Sequence, residues 1–214
     1  MNVYDFDDTI YDGESSFDLF FYYVKKKPSL LKMLPRVIGA FIKYKKGKIS
    51  IDEMIKKYVP MIEQNSKGLV DYQNDPTEFW NAHMHKIKHF YKEIQKDDDL
   101  VITASPDYHI EEICKRLGIK SFIASEVNQS NGKIETVCLR HNKVKAFFER
   151  YPDRKIENFY TDSPKNDKPL IDIAEHAFVV KKNKITKIKY LNTTKNTASA
   201  LYNQCRGDFY ACLC

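Results

Sequence analysis

Two carboxylates near the start of the chain have the types and spacing to do chemistry. In the stretch MNVYDFDDT, Asp5 and Asp7 lie two residues apart. Residues Asn2–Phe6 can run as a short β-strand, whose side chains alternate faces, so Asp5 and Asp7 point to one side and Phe6 to the other. Like charges held that close cannot both ionise cheaply, and the pair calls for a divalent cation, a shared proton, or both. Such a pair can divide labour. One member attacks as a carboxylate, while the other, held protonated, delivers a proton to a leaving group.

Other chemistry-bearing residues follow in elements able to position them. Leu100-Val101-Ile102-Thr103-Ala104 is a short apolar run of the kind found in buried parallel strands. Ser105 as N-cap and Pro106 as first residue then start a helix, whose free N–H groups can receive an anion beside Thr103 and Ala104. Asn142-Lys143-Val144-Lys145 opens another helix. A cation in a first turn opposes the helix dipole and costs a few tenths of a kcal/mol unless an anion, such as a phosphate, offsets it. Lys143 is the candidate for that role, with Lys145 as the alternative. Glu157–Thr161 reads as a strand ending in Asp162, with Asp167 five residues on, at the edge where open α/β sheets bind ligands.

Together these stretches resemble the four motifs of the haloacid dehalogenase superfamily, in the right order. Asp5-Phe6-Asp7-Asp8-Thr9 resembles the first, and Ile102–Pro106 the second, in the form seen in the phosphoserine-phosphatase-like subfamily. Lys143 matches the third, and Asp162 with Asp167 the fourth. The resemblance implies an α/β fold, a doubly wound Rossmann-like parallel sheet with an inserted α-helical cap. It also implies an aspartyl-phosphate mechanism: Asp5 is the nucleophile, Asp7 the general acid and base, and Thr103, Ala104 and Lys143 hold the phosphoryl group. Mg²⁺ is implied between the Asp5 carboxylate, the backbone carbonyl of Asp7 and Asp162, with Asp167 orienting it or its waters. Glu14, nine positions after Asp5, matches a Glu that reads a substrate amine; an exposed loop Glu is the other reading. Two departures stand out: Thr161 occupies a place where many relatives have Gly, and the gap to Asp167 is one residue longer.

The implied boundaries are 1–12 and 97–190 for the core, 13–96 for the cap and 191–214 for a C-terminal tail. Within the cap, Ser15 or Ser16 caps a helix ending at Lys25-Lys26-Lys27-Pro28, and Pro35 starts or kinks a second. Ser50-Ile51-Asp52-Glu53 is a capping box opening a third. A fourth runs from Pro76 or Thr77 to Ile94, which places His85 and His89 at i,i+4 spacing on a solvated face. Asn131-Gly132 marks a hairpin turn between Glu126–Gln129 and Lys133–Val137, and Ile185–Tyr190 a marginal edge strand.

Composition supports a folded chain: 43% of the 214 residues are hydrophobic and 13% aromatic. A strand beginning at Met1 leaves no room for a targeting sequence, and no apolar run is long enough to span a bilayer. Cys114 and Cys138 lie far apart in core elements, as reduced thiols would, while Cys205, Cys212 and Cys214 crowd the tail. A cytoplasmic enzyme is expected. The net charge of +6 is uneven, with nine Lys or Arg and no acidic residue between Asp18 and Asp52. The basic stretch Lys25–Lys48 fits a solvated cap face or peripheral contact with anionic lipid; no nucleic-acid partner is expected, because no recognisable module accompanies it. The expected activity is Mg²⁺-dependent hydrolysis of a small phosphorylated metabolite such as phosphoserine. The alternatives are a lipid-phosphate phosphatase acting on a phosphatidylglycerophosphate-like substrate at the membrane surface, and a non-catalytic binding module.

Overall fold

The computed structural model describes residues 1–46, 48–66 and 68–188. Seven strands form one sheet: β1 (Asn2–Tyr4), β2 (Leu100–Pro106), β3 (Ser121–Asn128), β4 (Lys133–Thr136), β5 (Asn158–Thr161), β6 (His176–Lys181) and β7 (Lys184–Ile188). Their order is β4-β3-β2-β1-β5-β6-β7. The central run from β3 to β6 is parallel, and β4 and β7 are antiparallel edges added by hairpins. The short apolar strands read as buried on both faces, and they are. Val3, Leu100, Ile102 and Phe159 pack on one side, and Tyr4 and Val101 on the other. The chain leaves β1 toward β2 on one side and β5 on the other, so the strand order reverses at β1, where open α/β sheets form a crevice.

Eight helices accompany the sheet among the described residues: α1 (Ser15–Lys26), α2 (Leu34–Lys45), α3 (Ile51–Ser66), α4 (Asp75–His83), α5 (His89–Ile94), α6 (Asp107–Leu117), α7 (His141–Arg150) and α8 (Lys168–Ile173). The first five fall between β1 and β2 and make the helical cap. Pro35 lies in the first turn of α2. At α3 the capping box closes reciprocally: the Glu53 N–H donates to Ser50 Oγ at 3.1 Å and the Ser50 N–H to Glu53 Oε2 at 2.7 Å. The far end of the cap rests on the β3–β4 hairpin, where the Ile134 N–H donates to Glu63 Oε1 at 2.8 Å. The Asn131-Gly132 turn is present, with Gly132 at φ 73°. Ile185–Tyr190 was expected as an edge strand and β7 covers Lys184–Ile188; the expected tail with its three cysteines lies outside the described residues.

Four local expectations are corrected. The first strand stops at Tyr4 instead of Phe6, because the Phe6 carbonyl accepts the N–H groups of Thr9, Ile10 and Tyr11 and winds the chain into a turn. Asp8 closes that turn at φ 52°, a left-handed conformation that Asp tolerates. The expected helix from Pro76 to Ile94 is broken into α4, a 3₁₀ turn at Met84–Lys86, and α5. The break has a competing partner: Ile87 bridges to Tyr11, and the Lys88 N–H donates to the Ile10 carbonyl at 2.8 Å. His85 and His89 consequently sit in different elements. Finally, Ser15 and Ser16 are not the cap of α1, since Glu14 holds that position, and Ser105 does not cap α6, because β2 runs on to Pro106.

His109, in the first turns of α6, is fully buried between Trp80 and Phe79, with ring centroids 4.6 and 4.7 Å away. Neither ring nitrogen has a hydrogen-bond partner. Burial, then the neighbouring His83, pushes its pKa down from 6.5 to about 3. The unfolded chain binds this proton below pH 6.5 and the folded chain does not, so stability falls as pH drops from 6.5 toward 3. This residue alone contributes up to about 1.4 kcal/mol per pH unit in that window. Urea unfolding at pH 7 and pH 5 should show a shallower pH dependence for His109→Phe than for the parent; equal slopes would mean His109 is not buried neutral.

Candidate active site

The loop after β1 is fixed by aromatic packing. Phe6 and Tyr11 both pack at right angles to Trp80, at 5.9 and 5.6 Å between centroids, and Trp80 Nε1 donates to the His109 carbonyl at 2.8 Å. Asp5 is held at the end of β1, its N–H bonded to the Tyr160 carbonyl of β5 at 2.9 Å. Both carboxylates emerge at the carboxyl ends of the central strands. They have separate partners, though, and neither hydrogen-bonds the other among the described residues.

Asp5 Oδ1 accepts a hydrogen bond from Lys143 Nζ at 2.8 Å, and the same ammonium donates to Asp167 Oδ1 at 2.8 Å. Lys143 lies in the first turn of α7, only 2% exposed. The anion that offsets its unfavourable position against the helix dipole is thus a pair of buried carboxylates. Burial raises the Asp5 pKa well above the usual carboxylate range, Lys143 pulls it down, and Asp167 pushes it up again. Burial works against the charge on Lys143, but Asp167 and Asp5 more than offset it, and its pKa is raised. Asp167 gives its other oxygen to Thr161 Oγ1, which donates at 2.6 Å. The hydroxyl at 161 thereby supports the carboxylate that supports Lys143.

Asp7 is gripped by two groups from two elements. Its Oδ1 accepts the Ser15 N–H at the start of α1 at 2.6 Å, and its Oδ2 accepts Ser105 Oγ–H at 2.6 Å. Ser105 Oγ also lies 3.2 Å from Ser15 Oγ and 2.9 Å from Ser16 Oγ. Burial raises the Asp7 pKa, with the hydrogen bonds from Ser105 and Ser15 opposing it. Thr103 is buried and its Oγ1 accepts the Ser105 N–H at 3.1 Å, which leaves its own O–H to donate elsewhere. Ala104 is exposed, with its carbonyl taken by Ser125 Oγ at 2.7 Å. Glu14 is exposed, next to Ser15.

Asp162 is anchored by its N–H, which donates to Thr9 Oγ1 at 2.8 Å. Its pKa is pushed up to about 6, by burial first and then by Asp8 and Asp167. Acidic charge is therefore concentrated beyond what Lys143 alone offsets. Lys88 supplies a second cation that sequence reasoning missed: it is buried, its Nζ donates to the Asp8 carbonyl, and burial lowers its pKa against the opposing pull of Asp12, Asp8 and Asp162. Nothing in its local sequence marks it, since its placement depends on the break between α4 and α5. Ser105 was legible as a residue but as a helix cap, not as the partner of Asp7.

A model of the haloacid dehalogenase-like hydrolase family matches residues 3–172. The chain belongs to this family. It is an enzyme of the haloacid dehalogenase-like hydrolases, built as an α/β core with a helical cap, and catalytic phosphatase activity goes with that membership. Solved structures agree on the fold. A protein of unknown function from Bordetella pertussis Tohama I is 15% identical, covers 97% of this chain and 95% of its own, and superposes with a TM-score of 0.68. A phosphoserine phosphohydrolase-like protein from Francisella tularensis subsp. tularensis SCHU S4 is 18% identical over 83% of this chain and 86% of its own, with a TM-score of 0.60. A phosphoserine phosphatase captured as a phospho-aspartyl intermediate analogue is 14% identical over 82% and 83%, with a TM-score of 0.51. No curated protein matches this haloacid dehalogenase-like chain.

Proposed function

We propose that the chain is a Mg²⁺-dependent phosphomonoester hydrolase that works through an aspartyl-phosphate on Asp5, with a small phosphorylated metabolite such as phosphoserine as substrate. The observation that carries the reading is the Asp5–Lys143–Asp167 line at the carboxyl end of β1. It sets a nucleophilic carboxylate against a buried cation able to receive phosphoryl oxygens. The relative captured as a phospho-aspartyl analogue shares this fold and supports the same chemistry. Two buried free thiols, Cys114 and Cys138, support a cytoplasmic setting.

In the forward step an Asp5 carboxylate oxygen forms a bond to phosphorus as the bond to the ester oxygen breaks. Asp7, whose burial favours its protonated form, gives its proton to the departing alkoxide. In the second step Asp7, now ionised, takes a proton from water as that water attacks phosphorus; the acyl-phosphate bond breaks and Asp5 returns as a carboxylate. Lys143 and the O–H of Thr103 hold the phosphoryl oxygens beside the backbone of Ala104, and Asp167 holds Lys143 in place. Glu14, at the first turn of the cap, is the candidate for reading a substrate amine.

The donor chemistry fits magnesium. Hard oxygens from Asp5, the Asp7 carbonyl and Asp162 suit a cation that keeps several waters and takes one or two carboxylates. Burial, then the like charges of Asp8 and Asp167, push Asp162 up to about 6, and a cation would relieve the like-charge part. Among the described residues no three His, Cys, Asp or Glu side chains converge as a ligand cluster. When bound, the ion supplies charge neutralisation between nucleophile and phosphate.

Phosphate release from an aryl phosphate, measured with Mg²⁺ and with a chelator, tests the reading: metal-dependent release supports it, and a folded protein with no metal-dependent release against a panel of phosphomonoesters sinks it. Ser105→Ala tests the Asp7 assignment. Losing a hydrogen bond to a charged group costs about 1.5–3 kcal/mol, so kcat should fall roughly tenfold to a hundredfold. Because that bond favours the ionised carboxyl, its loss should also move the Asp7 limb of the pH–rate profile upward. An unmoved profile would detach Ser105 from proton transfer.

A further inference from the structure

The two arms that hold the phosphoryl group in the proposed reaction come from different elements, Thr103 and Ala104 from β2 and Lys143 from α7. Neither arm is a regular piece of backbone. In β2 the register against β3 shifts: Ile102 pairs with Ile123 and Pro106 with Ser125, four residues on in β2 against two in β3. Residues 103–105 therefore bulge out of the ladder, and Ala104 is exposed between buried Thr103 and Ser105. At the other arm, the chain between β4 and α7 reaches Lys143 through Arg140, a non-glycine residue at φ 50°. A backbone in that region persists only where its surroundings hold it.

Both irregular stretches are tied to one hydroxyl. Ser125 Oγ–H donates to the Ala104 carbonyl at 2.7 Å, and Ser125 Oγ accepts the Cys138 N–H at 3.0 Å. A bulged carbonyl needs a donor from outside the ladder, and Ser125, 5% exposed on the facing strand, supplies it. The same peptide group is held at its other end, because the Ser105 N–H donates to Thr103 Oγ1 at 3.1 Å. A peptide group is planar, so the two bonds fix how Ala104 is joined to Ser105, and with it where the Thr103 and Ser105 hydroxyls stand. Cys138 lies five residues before Lys143. Burial pushes its thiol up to about 12, and the charges of Lys143, Asp5 and Asp167 act on it as well, so this anchor stands beside the ion-pair line.

We propose that Ser125 is a positioning residue for the hydrolysis: its hydroxyl, donating to the β2 bulge and accepting from the loop that delivers Lys143, sets the separation of the two arms that grip the phosphoryl group. The assignment rests on the hydrolase reading of the site. Among the described residues Ser125 bonds to no catalytic side chain, so it acts through geometry alone. Arms held at one spacing favour the five-coordinate transition state over the tetrahedral ground state, and a displaced arm costs turnover more than ground-state binding. A serine that only satisfied the Ala104 carbonyl would affect stability and leave that difference untouched.

The test compares the full chain with Ser125→Ala, Ser125→Cys and Ser125→Thr in the presence of Mg²⁺. Aryl phosphate hydrolysis is measured together with inhibition by orthovanadate, which can become five-coordinate, and by inorganic phosphate, which stays tetrahedral; urea unfolding shows that each variant is folded. Ser125→Ala should lower kcat about tenfold or more and weaken orthovanadate inhibition by a like factor. KM and phosphate inhibition should move less than about threefold. Ser125→Cys, close to serine in shape but a weak donor, should follow Ser125→Ala. Ser125→Thr keeps the hydroxyl and suits a strand, and should recover most of both losses. The proposal is overturned if folded Ser125→Ala or Ser125→Cys keeps the parent's kcat and orthovanadate inhibition, if kcat falls while orthovanadate inhibition holds, or if both inhibitors weaken equally. It is overturned too by a folded Ser125→Thr no better than Ser125→Ala. A parent that releases no metal-dependent phosphate from any phosphomonoester defeats the hydrolase reading, and this assignment with it; an active parent beside an unaffected Ser125→Ala defeats this assignment alone.

Discussion

An Asp5→Asn variant is expected to lose at least about 10⁴-fold in phosphate release while staying folded. The amide is no longer an anionic nucleophile, so the step that makes the acyl-phosphate has no attacking group. The fold should tolerate the change. Lys143 keeps Asp167 at 2.8 Å, and the amide oxygen at position 5 can still accept from Nζ, so stability should change by no more than about 1–2 kcal/mol. Phosphate release under saturating substrate, beside urea unfolding of the same preparation, checks both halves. A variant that releases phosphate at the parent rate would mean that another group attacks.

Lys143→Met should damage both fold and activity. Methionine fills much of the lysine's volume but leaves Asp5 and Asp167, 9% and 3% exposed, without their shared cation. Breaking a buried ion pair from one side costs about 3–5 kcal/mol. The urea midpoint should fall accordingly, and activity should drop by about 10³-fold or more, as expected on removing a preorganised charge from a transition state. Combining Lys143→Met with Asp167→Asn removes one stranded charge and should recover part of the stability and none of the activity. That split separates a structural lysine from one that also meets the phosphoryl group: if the double variant regained turnover along with stability, Lys143 would be only a scaffold.

The parts of the site that were legible in the sequence are those written as local pattern. Asp5, Asp7, Thr103, Lys143, Asp162 and Asp167 each stand at the end of an apolar strand or in the helix after it, and the structure puts all of them at that edge of the sheet. The central strands, the capping box at Ser50 and the hairpin at Asn131-Gly132 were legible for the same reason. What was not legible depends on partners remote in sequence. Ser105 looks like a helix cap until Asp7, 98 residues away, takes its hydroxyl. The helix drawn through Ile87 is reasonable by propensity, and it breaks because Ile10 and Tyr11 offer backbone pairing from far upstream. Lys88 becomes a buried cation only through that break. Alternation along β1 suggested that Asp5 and Asp7 share one spot, yet the turn wound by the Phe6 carbonyl gives each its own set of donors.

The place of β1 in the sheet has a consequence for how the molecule acquires its activity. Val3 pairs with Leu100 on one side and with Phe159 on the other, so the central strand has no partner close to it in the chain. The cap helices can form from local contacts, but the strand that leads into Asp5 must close two long loops before it is held at all. Returning turnover during refolding is therefore a report on the last non-local pairings, and it should trail the recovery of helical signal.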